Sequence, residues 1–90
     1  MARKAQYVRC RVSAGFFETE FYVIVANSSV LVDRDSVKVS VEPRGKKEVE
    51  GKVLAYVLDE RGDKALVELP GQAVIGGLRT WISKSRLAAP

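Results

Sequence analysis

Apolar and polar residues alternate with a period of two along most of this chain, and no other sequence feature constrains the fold as strongly. Residues 36–42, for example, read SVKVSVE, with a valine at every second position. A period of two sends successive side chains to opposite faces of a β-strand, and β-branched residues favour that conformation. No segment sustains the spacing of an amphipathic helix. The pattern therefore predicts an all-β protein.

Turn-forming residues divide this pattern into about six or seven strands. The expected strands cover residues 6–13, 16–26, 30–32, 36–42, 51–59, 64–69 and 78–83. We expect a linker from Pro43 to Glu50, a hairpin at Gly62, a loop over 70–77, and a short 3₁₀ turn or strand at Arg86-Leu87. A chain of 90 residues supplies one core. Residues 1–90 are thus predicted to form one small antiparallel barrel or sandwich.

The two halves of the chain share a weak internal similarity. The first strand of each half matches, with Val8, Cys10 and Val12 corresponding to Val53, Ala55 and Val57. The second strands match as well, with Phe21, Val23 and Val25 corresponding to Ala65, Val67 and Leu69. Residues 30–37 correspond to residues 80–87. The offset between matched positions drifts between 44 and 50 residues. Residues 6–42 and 51–88 can therefore be interpreted as two similar three-strand meanders. A likeness of this kind is also what any two alternating β sequences share.

The half from Gly51 to Leu87 resembles the small SH3-like barrels of the Tudor and KOW kind. The likeness rests on the opening Gly51-Lys52-Val53, the hairpin at Gly62 and the ending WISKSRL at residues 81–87. It implies an SH3-like barrel in which an aromatic-bearing strand leads through one 3₁₀ turn into a final strand. The four-aromatic cage of methyl-reading Tudor modules is not identifiable, because this half contains only Tyr56 and Trp81 as aromatic residues.

The sequence offers no set of residues suited to catalysis or to metal binding. It contains no histidine, the commonest general base and transition-metal ligand. Cys10 alternates with arginines on its strand, so its side chain is expected in the core. Acidic residues near Asp33 and Asp59 lack the spacing of a calcium loop, and no glycine-rich segment has the features of a phosphate loop. We therefore expect no enzyme activity, no cofactor, no metal and no small-molecule substrate.

Cysteine content and hydropathy bear on the compartment. A single cysteine cannot form an internal disulfide, which suits a reducing environment. The longest apolar run, Phe21 to Ala26, is far shorter than the roughly 20 residues that span a bilayer. The residues behind Met1 include no apolar stretch of signal-peptide length. The expectation is a cytoplasmic protein without a membrane partner.

Charge is distributed unevenly along the chain, although the net charge is only +4. All 11 acidic residues lie between Glu18 and Glu68. The flanking ends contain no acid and carry Arg3, Lys4, Arg9, Arg11, Arg79, Lys84 and Arg86. If the terminal strands are neighbours in the fold, these cations gather on one basic face.

Two binding functions remain open. The first is a protein-interaction module, whose partner is another protein or a second copy in a homodimer, because apolar residues such as Tyr22, Leu54 and Leu58 occupy the second faces of strands. A fold that buries both faces internally would explain Leu54 and Leu58 equally well. The alternative is binding of RNA or single-stranded DNA, with cations for phosphates and aromatic rings for bases. The candidate binding residues are Tyr7, Arg9, Arg11, Tyr56, Arg79, Trp81, Lys84 and Arg86.

Overall fold

The computed structural model describes residues 4–89, which form nine antiparallel β-strands and two 3₁₀ turns. The strands are β1 Lys4–Ala14, β2 Glu20–Val25, β3 Ser28–Asp33, β4 Val37–Val39, β5 Val49–Arg61, β6 Lys64–Glu68, β7 Gln72–Ile75, β8 Arg79–Ser83 and β9 Leu87–Ala88. The 3₁₀ turns, Arg34–Ser36 and Lys84–Arg86, lead directly into β4 and β9. The prediction of an all-β protein is confirmed.

The strands form one sheet in the order β7-β3-β2-β1-β5-β6-β8. This sheet is strongly curled into an antiparallel half-barrel. Two short strands complete the pairing away from this path, since β4 pairs with β5 and β9 pairs with β1. No helix long and apolar enough to cross a bilayer occurs in the described part of the chain.

Strand pairing in the second half of the chain repeats that of the first. In the central ladder between β1 and β5, Val8 lies opposite Val53. Val37 of β4 also lies opposite Val53, and Leu87 of β9 lies opposite Val8. If Val8 is superposed on Val53 and Leu87 on Val37, the pairing of β9 with β1 therefore coincides with the pairing of β4 with β5. The fold has a pseudo-twofold axis at the β1–β5 ladder, whereas an origin by duplication stays a prediction.

The inner face of the curled sheet is packed mainly with valine. The largest fully buried side chains are Leu69, Val8, Val12, Val23, Val25, Val30, Val32, Val53 and Val67. Each apolar side chain of this size stabilises the fold by roughly 1.5–3 kcal/mol when it is fully buried. The core therefore draws on both halves of the chain.

The second and fourth predicted strands are shorter than the alternation indicates. Residues 16–19 form a turn rather than the start of β2, with the amide of Glu20 donating to the Phe17 carbonyl at 3.2 Å. Phe17, which the alternation places on the same side as Phe21 and Val23, is 72% exposed, whereas those two residues are buried. The fourth strand ends at Val39, and the carboxylate of Glu42, beyond this end, accepts a hydrogen bond from Arg34.

Two predicted loops contain strand. The expected linker over 43–50 is wrong at its end, since Val49 and Glu50 already belong to β5. The expected loop over 70–77 contains β7, which pairs with β3. Gly71 permits this return: its φ is +84°, and a Cβ there would lie 2.0 Å from the carbonyl oxygen of Leu31. Only glycine tolerates that approach. At the predicted hairpin, Gly62 also has a positive φ, as the first residue of a two-residue turn often does.

Candidate functional site

Three cations occupy directly opposite positions on three neighbouring strands. Arg9 of β1 lies opposite Lys52 of β5, and Lys52 lies opposite Lys38 of β4. Opposite residues in an antiparallel ladder project from the same face of the sheet, where like charges destabilise the pairing. This arrangement, the cation row, therefore weakens the fold unless an anion neutralises it.

A groove of about 670 Å³ opens beside the cation row. It is lined by Arg9, Cys10, Arg11, Lys38, Val39, Ser40, Glu50, Gly51, Lys52, Ser85 and Arg86. Five of these residues are cations and one is an acid. We call this feature the basic groove. Its low-dielectric walls concentrate the field of the cations and attract anionic ligands.

The second 3₁₀ turn adds Arg86 to the groove. The hydroxyl of Ser83 accepts a hydrogen bond from the Ser85 amide at 3.4 Å and so caps this turn. After the turn, Leu87 pairs with Val8, which brings Arg86 next to the part of β1 that carries Arg9. A residue near the end of the chain thereby joins a site that begins on the first strand.

The cations of the basic groove differ in their partners. Arg11 donates from Nε to Glu48 at 2.8 Å, and Lys52 donates from Nζ to the Ala89 carbonyl at 3.0 Å. Lys38 lies 4.9 Å from the centroid of the Tyr7 ring. Within residues 4–89, no ion pair involves the other two cations, Arg9 and Arg86. These two guanidinium groups are free to make charge-assisted, bidentate hydrogen bonds to an anion.

Cys10 belongs to the core rather than to the chemistry of the groove. Its side chain is 4% exposed, which confirms the expectation that it faces inward. Burial raises the pKa of Cys10 to about 12, against a smaller lowering by the Arg86 charge. The thiol is therefore neutral near pH 7 and is not activated as a nucleophile.

The predicted binding residues fall into two places. Tyr7, Arg9, Arg11 and Arg86 lie at the basic groove or beside it. Tyr56, Arg79, Trp81 and Lys84 instead lie on or next to the β5-β6-β8 part of the sheet. Arg9, Arg11 and Arg86 therefore line one groove, whereas Arg79 and Lys84 lie away from it. Arg3 lies outside the described residues.

Local carboxylates already engage the cations of the second group. The Arg79 Nε lies 3.1 Å from Glu68, and the Lys84 Nζ lies 3.5 Å from Glu60. The guanidinium of Arg61 is 5.5 Å from the centroid of the Trp81 ring. Because these positive charges are partly neutralised, this part of the sheet attracts polyanions less strongly than the basic groove does.

Sequence reasoning missed Lys38 and Lys52. Both occur in the acid-rich middle of the chain, where the local charge balance is negative. Their alternation marks them as outward-facing, but it does not reveal which strands are neighbours. The one signal that relates them to Arg9 is strand pairing, and this signal appears only in the folded sheet.

A second hollow, of about 470 Å³, lies at the loop between β1 and β2. Phe16 and Phe17 line it with exposed rings, together with the buried ring of Phe21. The guanidinium of Arg34 lies 4.3 Å from the centroid of the Phe21 ring and pairs with Glu42. The chain's own cation and carboxylate thus satisfy each other in this hollow.

Comparisons with known proteins add no relationship, because no family model, curated protein or solved structure matches the chain. The resemblance to SH3-like barrels stays a prediction. The function proposed for this chain rests on its own geometry.

Proposed function

We propose that this protein is a non-catalytic binding module that holds single-stranded nucleic acid, RNA or DNA, in the basic groove. The observation that carries the proposal is the gathering of five cations from β1, β4, β5 and the second 3₁₀ turn around one hollow. Phosphate groups are the anions that repeat at regular spacing along a flexible chain. A groove with several cations fits such a ligand better than it fits a single small anion.

Binding supplies the counter-charge that the cation row lacks. Arg9 and Arg86 can each form bidentate hydrogen bonds to phosphate oxygens, and Lys38 and Lys52 act as point charges. Phosphates placed between these side chains convert the repulsion within the row into attraction. Release of condensed counterions from the nucleic acid adds to the affinity and makes it depend on salt.

An aromatic ring stands next to these charges. Tyr7 is partly buried beside Lys38 and lies on the same strand face as Arg9. Stacking of a base on an aromatic side chain contributes about 1–3 kcal/mol and tolerates any sequence. A single strand, whose bases are accessible, therefore gains stacking energy from Tyr7. A duplex does not, because its bases are stacked inside the helix.

The test is fluorescence anisotropy with a labelled single-stranded oligonucleotide in a salt series. If four cations each neutralise one phosphate, the logarithm of the association constant falls against the logarithm of salt with a slope of about −3. The double variant Arg9→Glu/Lys52→Glu should bind the oligonucleotide at least tenfold more weakly, because it loses one or more charged hydrogen bonds. Its slope should be shallower.

The matched control is Arg44→Glu/Lys46→Glu. Both residues are exposed in the linker and line no part of the basic groove, yet the variant changes the net charge by the same amount. It should bind within about twofold of the unmodified protein, because screening limits the effect of distant surface charges. Equal losses in the two variants, or no binding by the unmodified protein at low salt, would contradict the proposal.

Protein interaction is the second candidate function. Trp81 is 41% exposed on β8, and within residues 4–89 this strand pairs on one side only. An unpaired sheet edge that carries an exposed aromatic ring is a surface that another chain can cover.

A further inference from the structure

The two strands that end the sheet path differ in how well they are protected against pairing with another chain. β7 has four residues, lies between Gly71 and Gly76, and joins β3 through a register shift between Ser29 and Val30. Short length and a bulge are devices that blunt a sheet edge. The edge at β7 is therefore a poor template for an additional strand.

The edge at β8 is one residue longer than that at β7, has no register shift and carries one charged residue, Arg79. All five residues from Arg79 to Ser83 pair with β6 without a register shift. The strand contains no proline and no lysine, and its centre is Thr80-Trp81-Ile82, three residues that favour β-structure. Among residues 4–89, no strand pairs with its other side. A regular, β-favouring edge of this kind readily accepts a further strand.

The first half of the chain contains a strand that is equivalent to β8 and whose outer edge is covered. β3 corresponds to β8 under the pseudo-twofold axis, since Phe21 pairs with Val32 as Ala65 pairs with Ile82. The outer side of β3 is occupied by β7, which adds to it in antiparallel orientation. In one half of the molecule this edge is thus closed by an added strand, and in the other half it is open.

We propose that β8 is a dimerisation edge, at which β8 of a second copy of this chain adds in antiparallel orientation. An axis centred on Trp81 pairs all five residues, placing Arg79 opposite Ser83 and Thr80 opposite Ile82 of the second copy. The two Arg79 side chains then lie at opposite ends of the ladder, so that like charges do not meet. Trp81 faces its own equivalent, and such cross-strand aromatic pairs stabilise a ladder.

Self-pairing also explains why the assembly stops at two copies. A twofold axis uses the same edge on both copies and leaves no second β8 edge. Within residues 4–89, the remaining outer edges belong to β7, which is protected, and to β4 and β9, which have only three and two residues. The dimer carries two basic grooves, so a long nucleic-acid strand can engage both with higher avidity. That last consequence rests on the proposed function, whereas the dimer itself does not.

Sedimentation equilibrium of the full chain over a wide concentration range tests the proposal. A ladder of five residues is smaller than a standard interface, so the dimer dissociation constant should lie between about 1 µM and 1 mM. Trp81→Lys places two like charges opposite each other and should weaken the dimer by about tenfold or more. A chain that stays monomeric throughout this range, as it would if the edge served an unrelated peptide, overturns the proposal.

Tyr56→Lys is the matched control, because Tyr56 has nearly the same exposure as Trp81 but lies on β5, away from the edge. It should leave the dissociation constant within about twofold, since a charge outside the contact is largely screened. Circular dichroism checks that both variants stay folded. Equal weakening by the two substitutions overturns the assignment of the interface to β8. Oligonucleotide binding by Trp81→Lys monomers separates this result from the groove proposal.

A cross-linking experiment tests the register directly. In a Cys10→Ala background, Trp81→Cys should form a disulfide-linked dimer on mild oxidation, because directly opposite residues bring their Cβ atoms within about 5.5 Å. Tyr56→Cys should stay monomeric under the same conditions. Linked dimers from both variants, or from neither, overturn the pairing of Trp81 with its equivalent.

Discussion

The basic groove and the surface related to it by the pseudo-twofold axis share strand pairing and differ in side-chain chemistry. The axis relates each of the five groove cations to a residue in the other half of the molecule. Arg9 corresponds to Leu54, Arg11 to Tyr56, Lys38 to Ala88, Lys52 to Tyr7 and Arg86 to Ser36. We call these five positions the counterpart surface. None of them is charged. Since the same ladders form in both places, the architecture does not require the cations.

The cation row makes the contrast clearest. Its counterpart is a row in which Leu54 and Ala88 flank Tyr7 on the two sides, an apolar arrangement that stabilises the ladder. In the basic groove the same positions hold three cations that repel one another. A protein that places its charges at the less favourable positions for folding gives up stability there, which is typical of binding sites.

The largest effect is expected when the groove is made to resemble the counterpart surface. The variant Arg9→Leu/Lys38→Ala leaves one cation in the row and should weaken oligonucleotide binding by about 100-fold or more, as expected for the loss of two charged hydrogen bonds of at least roughly 1.5 kcal/mol each. Anisotropy at low salt measures the change.

Its control is Arg44→Leu/Lys46→Ala, which removes the same charge from the linker. This variant should bind almost as the unmodified protein does. If both variants lose affinity equally, the difference between the groove and the counterpart surface has no bearing on binding.

A second effect concerns the inner face, where Cys10 corresponds to Ala55. The folded thiol has a pKa of about 12, above the ordinary value of 9.0, because it is buried. Between these two values the unfolded chain releases the proton and the folded chain keeps it, so stability falls as pH rises above about 9, by up to about tenfold in the folding constant per pH unit.

Cys10→Ala removes this contribution. Urea unfolding at pH 8 and at pH 10.5 should show a smaller loss of stability in the variant than in the unmodified protein. Because each protein is compared with itself at two pH values, the packing change caused by the substitution cancels. An identical pH dependence in both proteins would show that the Cys10 thiol titrates alike in the folded and unfolded states.

The smallest effect is a gain in stability. Lys52→Thr removes the central charge of the cation row and should raise the free energy of unfolding by roughly 0.2–1 kcal/mol in the absence of ligand. Thermal unfolding at low salt measures this gain, which should shrink at high salt because screening weakens the original repulsion. Lys46→Thr, in the linker, is the control and should have no such effect. A destabilised or salt-insensitive Lys52→Thr variant would show that the row is not under charge strain.

Local pattern was sufficient for much of the fold. Period-two alternation correctly predicted an all-β chain, the inward side of Cys10 and the hairpin at Gly62. The correspondence of residues 30–37 with 80–87 matches the observed ladders. The strand expected over 36–42 ends at Val39, because the alternation of valine continues to Val41 whereas pairing with β5 does not. β7 was not predicted, because all four of its residues are exposed and therefore show no alternation between an inner and an outer face.

The candidate site was only partly predictable for the same reason. Arg9 and Arg11 stand out in an acid-free strand, and Arg86 stands out near the other end. Lys38 and Lys52 do not stand out, since their surroundings in the chain are acidic. Conversely, Arg79 shares the charge pattern of the ends but lies on β8, beside Glu68.

By itself, the sequence determined which side of each strand that it predicted faces the core, because burial of apolar side chains depends on a local period of two. Only the tertiary structure decided which strands lie side by side. Strand neighbours are set by backbone pairing between segments far apart in the chain, and the side chains alone do not specify those partners. The basic groove and the open edge at β8 both arise from that second level. The β fold is thus evident from the residues, whereas its proposed binding surfaces follow from how its two similar halves pair.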